Sequence, residues 1–334
     1  HVAIRNLVSW KPLADPEDGY TVIIACMKAL SSVAIANLRL VQEQDSPSLK
    51  KIVLIFDCTD DEVPDDVVAA ASPSNNRIPV DVICYNQKQS WCIGIGHVNT
   101  RHALIHDLDA MPIDPVLFES LYRTAHESGA QWSGIRNYSG NGITKDMQVV
   151  TTFELVCDVQ YIRNNFIPFD GFNKPYVFNG QYIDFDTFLY MQHMSSLRNT
   201  TPISETSLVH PSQLICDYTD FTSGRSRLTH RQHSLIFLLY LQYIGGEPEP
   251  LTNAAKELSD PDRSEIRYRD KSLPVHHLSE EHWAWTEKQI RRLEQSLNSH
   301  TRPSIEAYLQ GIISRAGEKR TVGKETGEYA VLPV

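Results

Sequence analysis

The sequence predicts an α/β fold in which a mainly parallel central sheet is flanked by helices. Short apolar segments rich in β-branched residues recur over the first 110 residues, and helical segments separate them. Apolar runs of this kind are typical of parallel strands that helices cover on both faces. The alternation of strand and helix indicates right-handed βαβ units. Ligands of such sheets bind beyond the carboxyl ends of the strands, so the residues that follow each strand are the first candidates for a site.

The elements of the first part of the chain follow from these patterns. Strands are predicted at 20–28, 51–56, 79–84 and 103–106. Helices are predicted around 33–41, 67–71 and 91–102. The predicted strands end near Lys28, Asp57, Asn86 and Asp107. These four polar residues are therefore expected at one edge of the sheet, where ligands bind.

The second part of the chain is less regular. Helices are predicted at 116–128, 184–198, 234–244, 279–297 and 303–315, and a strand at 131–136. Residues 149–159 fit either a strand or a helix. The segment 163–190 is rich in aromatic residues and asparagine, and it predicts a pocket built from loops. A Gly-Gly-Glu-Pro-Glu-Pro run at 245–250 breaks the chain, and a polar tail is expected at its end.

Composition limits the classes of function. The formal net charge of −10 argues against a general nucleic-acid binder. No segment reaches the roughly 18 uninterrupted apolar residues of a membrane span. The six cysteines are scattered without a Cys-x-x-Cys pair, which predicts free thiols in a reducing, cytoplasmic environment. Of the local basic clusters, Arg291-Arg292 is expected on a solvated helix face.

The sequence Asp107-Leu108-Asp109 directly follows an apolar strand. Two close carboxylates repel one another unless a proton or a cation lies between them. Hard divalent cations such as Mg²⁺ and Mn²⁺ prefer oxygen ligands and commonly bind together with substrate phosphates. The pair therefore predicts a metal site, while the alternative is one aspartate that caps the next helix and one that is solvated.

Other polar residues are candidates for the same site. Asp184 and Asp186 follow a turn, where one of them acts as a general base or both merely favour a helix start. His210 is a plausible further cation ligand, because an imidazole can complete a carboxylate site. Arg101 is placed to contact a phosphate or a carboxylate, and Arg225 lies in a polar segment that could close over a diphosphate.

The order of these strands and the motif His106-Asp107-Leu108-Asp109 resemble nucleotide-sugar-dependent glycosyltransferases of the Rossmann-like GT-A fold. The resemblance covers about residues 18–215, and the stretch 180–186 is similar to the Gly-x-Glu-Asp-x-Asp segment of family-2 enzymes, with Ile183 where an acidic residue is usual. Together with the break at 245–250, it predicts a catalytic domain at 1–245, and the residues themselves predict a helical C-terminal extension at 246–317 and a polar tail at 318–334. Within the first domain it implies a nucleotide-binding part at 18–115 and an acceptor part at 116–245.

The resemblance also implies an activity and a set of site residues. It implies sugar transfer from a UDP- or GDP-sugar to a hydroxyl acceptor, with Mn²⁺ or Mg²⁺ and an inverting mechanism. The metal ligands are Asp107, Asp109 and His210, the base is Asp184, and the donor contacts are Ala25, Lys28, Asp57, Arg101, Asp107 and Arg225. A carbohydrate acceptor is expected as a partner, together with self-association through the C-terminal extension.

Two other classes of function remain open from the residues. A haloacid-dehalogenase-like phosphohydrolase also carries Asp-x-Asp after an apolar strand, with Asp107 in the place of the nucleophile. That class wants Thr or Val two residues after the second aspartate and its motif at the first strand, whereas here Met111 follows and three strands precede. The other alternative is a binding or scaffold protein that has a glycosyltransferase-like fold without activity.

Overall fold

The computed structural model describes most of the chain. The described residues are 9–57, 62–85, 90–138, 142–143, 147–178, 180–195, 197–204, 206–211, 214–224, 232–260, 262–275, 278–297 and 305–315. Arg225 and the predicted polar tail lie outside them.

The elements alternate in the first third of the chain and become mixed afterwards. The strands are β1 (Glu17–Met27), β2 (Leu49–Asp57), β3 (Val80–Tyr85), β4 (Thr100–His106), β5 (Met111–Pro112), β6 (Trp132–Gly134), β7 (Leu155–Asp158), β8 (Lys174–Phe178), β9 (Gln181–Phe185), β10 (Arg198–Thr200), β11 (Leu208–Val209), β12 (Glu265–Tyr268) and β13 (Lys271–Pro274). The α-helices are α1 (Ser31–Gln42), α2 (Asp65–Ala70), α3 (Ser90–His97), α4 (Leu117–Ser128), α5 (Val159–Asn165), α6 (Leu189–Met194), α7 (Leu214–Thr222), α8 (Gln232–Gly245), α9 (Glu249–Leu258), α10 (Glu280–Ser296) and α11 (306–315).

Among the described residues, seven strands form the central sheet in the order β10-β6-β7-β4-β1-β2-β3. The pairs β4/β1, β1/β2, β2/β3 and β10/β6 are parallel, whereas β7 runs antiparallel to both of its neighbours. Apolar side chains on both faces of β1 and β2 are buried, because helices cover the sheet on each side. The predicted α/β fold with a mainly parallel sheet is confirmed.

Several element boundaries correct the sequence-based expectations. The helix predicted at 91–102 ends at His97, and Arg101 lies in β4 instead. The segment 149–159, undecided between strand and helix, contains β7 and the start of α5. The helix predicted at 184–198 is wrong at its start, because Ile183 and Phe185 alternate into a small apolar cluster as strand residues do.

The segment 163–190 is more ordered than the predicted loop pocket. It contains the antiparallel hairpin of β8 and β9, with Gly180 at its turn at a φ of +76°. A positive φ is accessible to glycine without steric cost, which permits this tight connection. The hairpin therefore holds Asp184 on a strand rather than at a helix start.

The C-terminal segment packs directly against the sheet domain. Helix α8 lies on α1, and Trp283, Leu293 and Tyr308 share one apolar core cluster with the side chains on one face of β1 and β2. The segment is not purely helical, because β12 and β13 form a hairpin next to α9. The hairpin and α9 are not evident in the charged sequence after residue 250.

Two further observations concern the chain as a whole. Within the described part, none of the helices is both long enough and apolar enough to cross a bilayer. Cys26, Cys84, Cys92, Cys157 and Cys216 are free thiols, and Cys58 lies outside the described residues.

Candidate active site

The carboxyl ends of the parallel strands lie side by side and present Lys28, Asp57 and Asp107 along one edge, while Asn86 lies outside the described residues. In the register of the sheet Met27 pairs with Asp57, Asp57 with Tyr85, and Ile24 with His106. Asp107 is the next residue after β4, so it leaves the sheet at this same edge. The β-ladder thus positions the Asp107–Asp109 segment next to the ends of β1 and β2.

Asp107, Asp109 and His210 form a cluster. One ligand atom from each lies within 4.8 Å of the other two. His210 Nε2 is 3.4 Å from Asp109 Oδ1 and 4.0 Å from Asp107 Oδ2. Since β11 pairs antiparallel with β5, His210 at the end of β11 returns to the segment that follows Asp109.

The second oxygen of Asp109 anchors the cluster to α7. Asp109 Oδ2 accepts the backbone N–H of Leu214 at 3.0 Å, at the first residue of that helix. This contact fixes the carboxylate so that Oδ1 faces His210. Asp109 is 4% exposed whereas the Asp107 side chain is 35% exposed, so one carboxylate is buried in the protein and the other faces the solvent side.

The cluster is electrostatically strained in the absence of a cation. Loss of solvation around the half-buried Asp107 carboxylate and the charge of Asp109 raise the pKa of Asp107 to about 8, and the charges of Glu154 and Asp186 act in the same direction. Burial lowers the pKa of His210, but the hydrogen bond and charge of Asp109 together with Asp107 raise it above its ordinary value. A site that holds protons in this way has surplus negative charge, which a divalent cation would neutralise.

A buried amide holds the backbone of the Asp-x-Asp segment from below. Asn37 of α1 is fully buried, and its Nδ2 donates to the carbonyl oxygens of Asp107, Leu108 and Ala110 at 3.2, 3.0 and 3.0 Å. These three acceptors fix the orientation of the amide, so that Asn37 Oδ1 points at His106 Nε2, 2.7 Å away. The Nε2 atom must therefore carry a proton.

A second buried pair extends this network. His106 Nδ1 lies 2.6 Å from Glu154 Oε1, and both side chains are fully buried. Glu154 stands at a φ of +91°, a left-handed conformation that a non-glycine residue adopts at a cost in energy. Burial raises the pKa of Glu154, and His106 opposes that shift. The network fixes the segment that carries the two aspartates.

The predicted donor contacts divide into two groups. Ala25 and Lys28 at the end of β1 and Asp57 at the end of β2 lie along the same edge as Asp107. Arg101 does not, because it is the second residue of β4 and pairs with Asp158 at 3.7 Å. Five strand residues separate it from Asp107, which corresponds to six steps along the strand or roughly 20 Å. The structure thus places Arg101 away from Asp107, and its predicted contact with a phosphate stays a prediction. Arg225 lies outside the described residues.

The two predicted acidic residues of the β9 segment differ in position. Asp184 is exposed on β9, opposite to the face that carries Ile183 and Phe185. Asp186 follows the strand, is half-buried, and accepts the backbone N–H of Thr187 at 2.7 Å. The charge of Asp186 contributes to the raised pKa values of Asp107 and Cys216, so this carboxylate lies in the field of the cluster.

The three-residue cluster fits Mn²⁺ or Mg²⁺ by its donor chemistry. Two carboxylate oxygens are hard ligands, and the imidazole nitrogen favours Mn²⁺ over Mg²⁺. Asn37 and Glu154, which support the cluster, were not predicted from the sequence. A single asparagine on an apolar helix and a glutamate in a segment of undecided structure give no signal of their contacts.

The comparisons with known proteins concern the fold. No family model and no curated protein matches the chain. S. aureus TarS 1-349 is similar with a TM-score of 0.41 and 10% identity, over 95% of this chain and 94% of that one. The mannosyltransferase PcManGT from Pyrobaculum calidifontis, in complex with GDP-Man and Mn²⁺, is similar with a TM-score of 0.41 and 12% identity, over 98% of this chain and 82% of that one. The glycosyltransferase GlyE in Streptococcus pneumoniae TIGR4 is similar with a TM-score of 0.40 and 12% identity, over 64% of this chain and 51% of that one.

Proposed function

We propose that this chain is a glycosyltransferase that moves a sugar from a nucleoside-diphosphate sugar to a hydroxyl acceptor and depends on a divalent cation. The observation that carries the proposal is the convergence of Asp107, Asp109 and His210 at the carboxyl edge of the parallel strands. Ligand sites of open α/β sheets lie at that edge. The raised pKa of Asp107 indicates that the cluster is built for a positively charged partner.

Each residue has a separate task in this mechanism. Asp107, Asp109 and His210 would hold the cation, which when bound supplies charge neutralisation for a diphosphate leaving group. Asp109 keeps its ligand oxygen in place through the Leu214 amide, and Asn37 keeps the backbone of the segment in place. Asp57 and Lys28, at the ends of β2 and β1, are proposed to contact the nucleotide.

The acceptor hydroxyl needs a base if the reaction inverts the configuration at the anomeric carbon. The resemblance of residues 180–186 to family-2 enzymes supports Asp184 in this role. The field of Asp186 at Asp107 supports Asp186 as a second candidate, since the base must lie close to the bound donor. In either case the carboxylate accepts the hydroxyl proton while the acceptor oxygen attacks the anomeric carbon. The bond between that carbon and the diphosphate oxygen breaks, and the nucleoside diphosphate leaves with the electron pair.

The first test is ligand binding measured by thermal shift with UDP, GDP, CDP and dTDP, each with and without Mn²⁺. We expect one nucleotide to raise Tm only when Mn²⁺ is present, because ligand binding to the folded state stabilises it. Asp109→Asn should abolish this shift while it retains an oxygen that accepts the Leu214 amide. Asp81→Asn, which alters an exposed carboxylate paired with Lys51, is the control and should leave the shift unchanged.

The second test separates the two candidate bases and the rival functions. Hydrolysis of the preferred nucleotide sugar, with water as acceptor, is compared in Asp184→Asn and Asp186→Asn. The variant that lacks the base should lose about 100-fold or more in kcat with unchanged nucleotide binding. Phosphate release from phosphomonoesters without any nucleotide would instead support the phosphohydrolase. Metal-dependent nucleotide binding with no turnover of any donor would support the binding protein.

A further inference from the structure

A cavity of about 540 Å³ opens beside His210. The residues that give it its character are Arg136, Phe153, His210, Trp285, Lys288 and Arg292. Its volume is within the range of about 300–1,000 Å³ that small-molecule sites occupy. The proposed nucleotide contacts Ala25, Lys28 and Asp57 do not line it.

The charge of this cavity is opposite to that of the chain. Arg136, Lys288 and Arg292 line it, and its described lining includes no carboxylate, whereas the whole chain carries a formal charge of −10. Cations gathered in a concave site focus their field on an anionic ligand. Arginine also binds phosphate and carboxylate groups through two parallel hydrogen bonds.

Helix α10 contributes to the cavity wall through a single stripe of side chains. Trp285, Lys288, Gln289 and Arg292 recur at a spacing of three and four residues, so they share one helix face. Arg292 is held in place, because its Nη1 donates to Gln289 Oε1 at 2.7 Å and its Nη2 to the Leu208 carbonyl at 2.9 Å. The expectation that Arg291-Arg292 lies on a solvated face is wrong for Arg292 and correct for the exposed Arg291.

A stack of side chains connects the other half of the cavity to the metal cluster. The Arg136 guanidinium lies 5.6 Å from the centre of the Phe153 ring. The Phe153 ring centre lies 4.3 Å from that of His210. His210 in turn contacts Asp109 at 3.4 Å. Since Phe153 and His210 both line the cavity, a ligand there can lie directly against the His210 ring of the metal cluster.

We infer that this cavity is the acceptor subsite and that it selects an acceptor with an oxyanion, a phosphate or a carboxylate, next to its hydroxyl groups. The inference rests on the proposed function. Lys288, Arg136 and Arg292 bind the oxyanion, and Trp285 and Phe153 pack against the sugar ring or chain that carries it. The donor occupies the ends of β1 and β2, which leaves these three cations to the second substrate.

The test uses the tryptophan in the cavity as a local probe. Fluorescence of the full chain is titrated with glucose 6-phosphate, glucuronate, glucose and inorganic phosphate, and a Trp285→Phe variant identifies the part of the signal that comes from the cavity. We expect saturable quenching by glucose 6-phosphate or glucuronate at concentrations where glucose has no effect. Inorganic phosphate distinguishes recognition of the anion alone from recognition of the whole acceptor.

Substitutions in the cavity, with one control of matched charge change, identify the residues that bind the oxyanion. Lys288→Glu and Arg136→Gln should each weaken oxyanion binding about tenfold, the effect of losing one charge-assisted contact. Lys11→Glu, an exposed residue outside the cavity, repeats the charge change of Lys288→Glu and should leave binding unchanged. In the same variants the Mn²⁺-dependent nucleotide shift should persist, because the donor binds elsewhere.

Three results would overturn the inference. These are quenching by glucose equal to that by glucose 6-phosphate, no quenching by any of the four probes, and equal loss of binding in Lys288→Glu and Lys11→Glu. Loss of the nucleotide shift in Lys288→Glu would assign the cations to the donor diphosphate and would also overturn it. Oxyanion binding without any metal-dependent nucleotide binding would contradict the proposed function and not the cavity, so the two failures are distinguishable.

Discussion

Asn37 is the residue on which the geometry of the metal cluster depends most directly. Its amide makes three hydrogen bonds to the backbone that carries Asp107 and Asp109, although it contacts neither carboxylate. Its oxygen in turn accepts a hydrogen bond from His106 Nε2. It is thus a positioning residue, whose effect on a bound cation acts through the backbone.

We predict that Asn37→Ala weakens Mn²⁺ binding more than its effect on stability explains. Three buried carbonyl groups and His106 lose their partner, which costs about 2–3 kcal/mol of unfolding free energy. Leu121→Ala, a fully buried core truncation on α4 of about the same cost, is the control. The nucleotide shift should need about tenfold more Mn²⁺ in Asn37→Ala than in Leu121→Ala. Equal Mn²⁺ requirements would show that Asn37 only supports the fold.

His102 makes the acid side of the stability curve predictable. It is buried, and its ring lies edge-on to Tyr122 at 5.4 Å and to His126 at 5.8 Å. Burial lowers the pKa of His102 to about 4, against the opposing charge of Asp158. The unfolded chain therefore binds a proton between pH 6.5 and pH 4 that the folded chain does not bind.

We predict that wild-type stability falls through this window and that His102→Phe reduces the fall. Protonation of one such histidine lowers the unfolding free energy by at most about 3 kcal/mol, and this loss is absent above pH 7. Phenylalanine keeps the ring packing on Tyr122 and has no proton to gain. Urea unfolding at pH 8, 6 and 4.5 measures the slope. Parallel curves for the two proteins would contradict the low pKa of His102.

At the scale of single residues, the sequence predicts what adjacent positions determine. Asp107 and Asp109 follow a strand at a fixed spacing, so their joint position at the sheet edge follows from the pattern. Glu154 is 48 residues from its partner His106, and Asn37 is 69 residues from it, so only the folded chain brings them together. The metal-ligand and base assignments themselves stay predictions.

Helix α8 packs closely against α1 at Gly245. A Cβ atom on Gly245 would lie 1.7 Å from the Ser32 carbonyl oxygen and 2.4 Å from its carbonyl carbon. The hydroxyl of buried Ser32 donates to Glu247 Oε2 at 2.8 Å, just beyond the end of α8. Since backbone atoms form the obstacle, no side-chain movement makes room for a methyl group.

We predict that Gly245→Ala lowers the unfolding free energy by about 3 kcal/mol, the cost of overpacking a rigid contact. The loss should appear in both Tm and the urea midpoint, although alanine is the better helix former. Gly129→Asn serves as the control, because this glycine ends α4 at a φ of +65° in open space and asparagine tolerates that conformation. A Gly245→Ala protein as stable as the control would show that α8 can move away from α1.

At the scale of elements, periodicity predicts well where one face is buried and poorly where contacts are local. Strands β1 and β2 and helices α1 and α8 follow from apolar runs, because most of their side chains are buried in the core clusters. The edge strand β3 follows from a shorter run whose side chains are mostly half-buried. The hairpin of β8 and β9 was missed, since its short alternation lies next to the helical pattern of α6. Arg101 was misplaced because α3 and β4 are joined by only two residues.

The chain carries a net charge of −10, whereas three basic residues line the cavity beside His210, and the C-terminal segment supplies two of them. Helix α10 lines the cavity with its polar stripe and buries Trp283, Ile290 and Leu293 on its other side. Tyr240 of α8 also donates its hydroxyl proton to Glu294 of α10 at 2.7 Å. The segment after residue 246 is thus part of the core that supports the sheet, and the sequence, with its charged and proline-rich start, predicts only an extension.

We therefore predict that a chain ending at Gly246 does not fold cooperatively. It would lack the buried side chains of Trp283, Ile290, Leu293 and Tyr308, whose burial contributes about 2 kcal/mol each. Their sum of about 8 kcal/mol is comparable to the unfolding free energy of a typical domain. A chain ending at residue 317 is the control, because it omits only the polar stretch predicted as a tail. Circular dichroism melting and binding of a hydrophobic dye compare the two. A cooperative melt of the shorter chain would show that 1–245 is an independent domain. Dye binding without a cooperative melt would show that both segments form one folding unit.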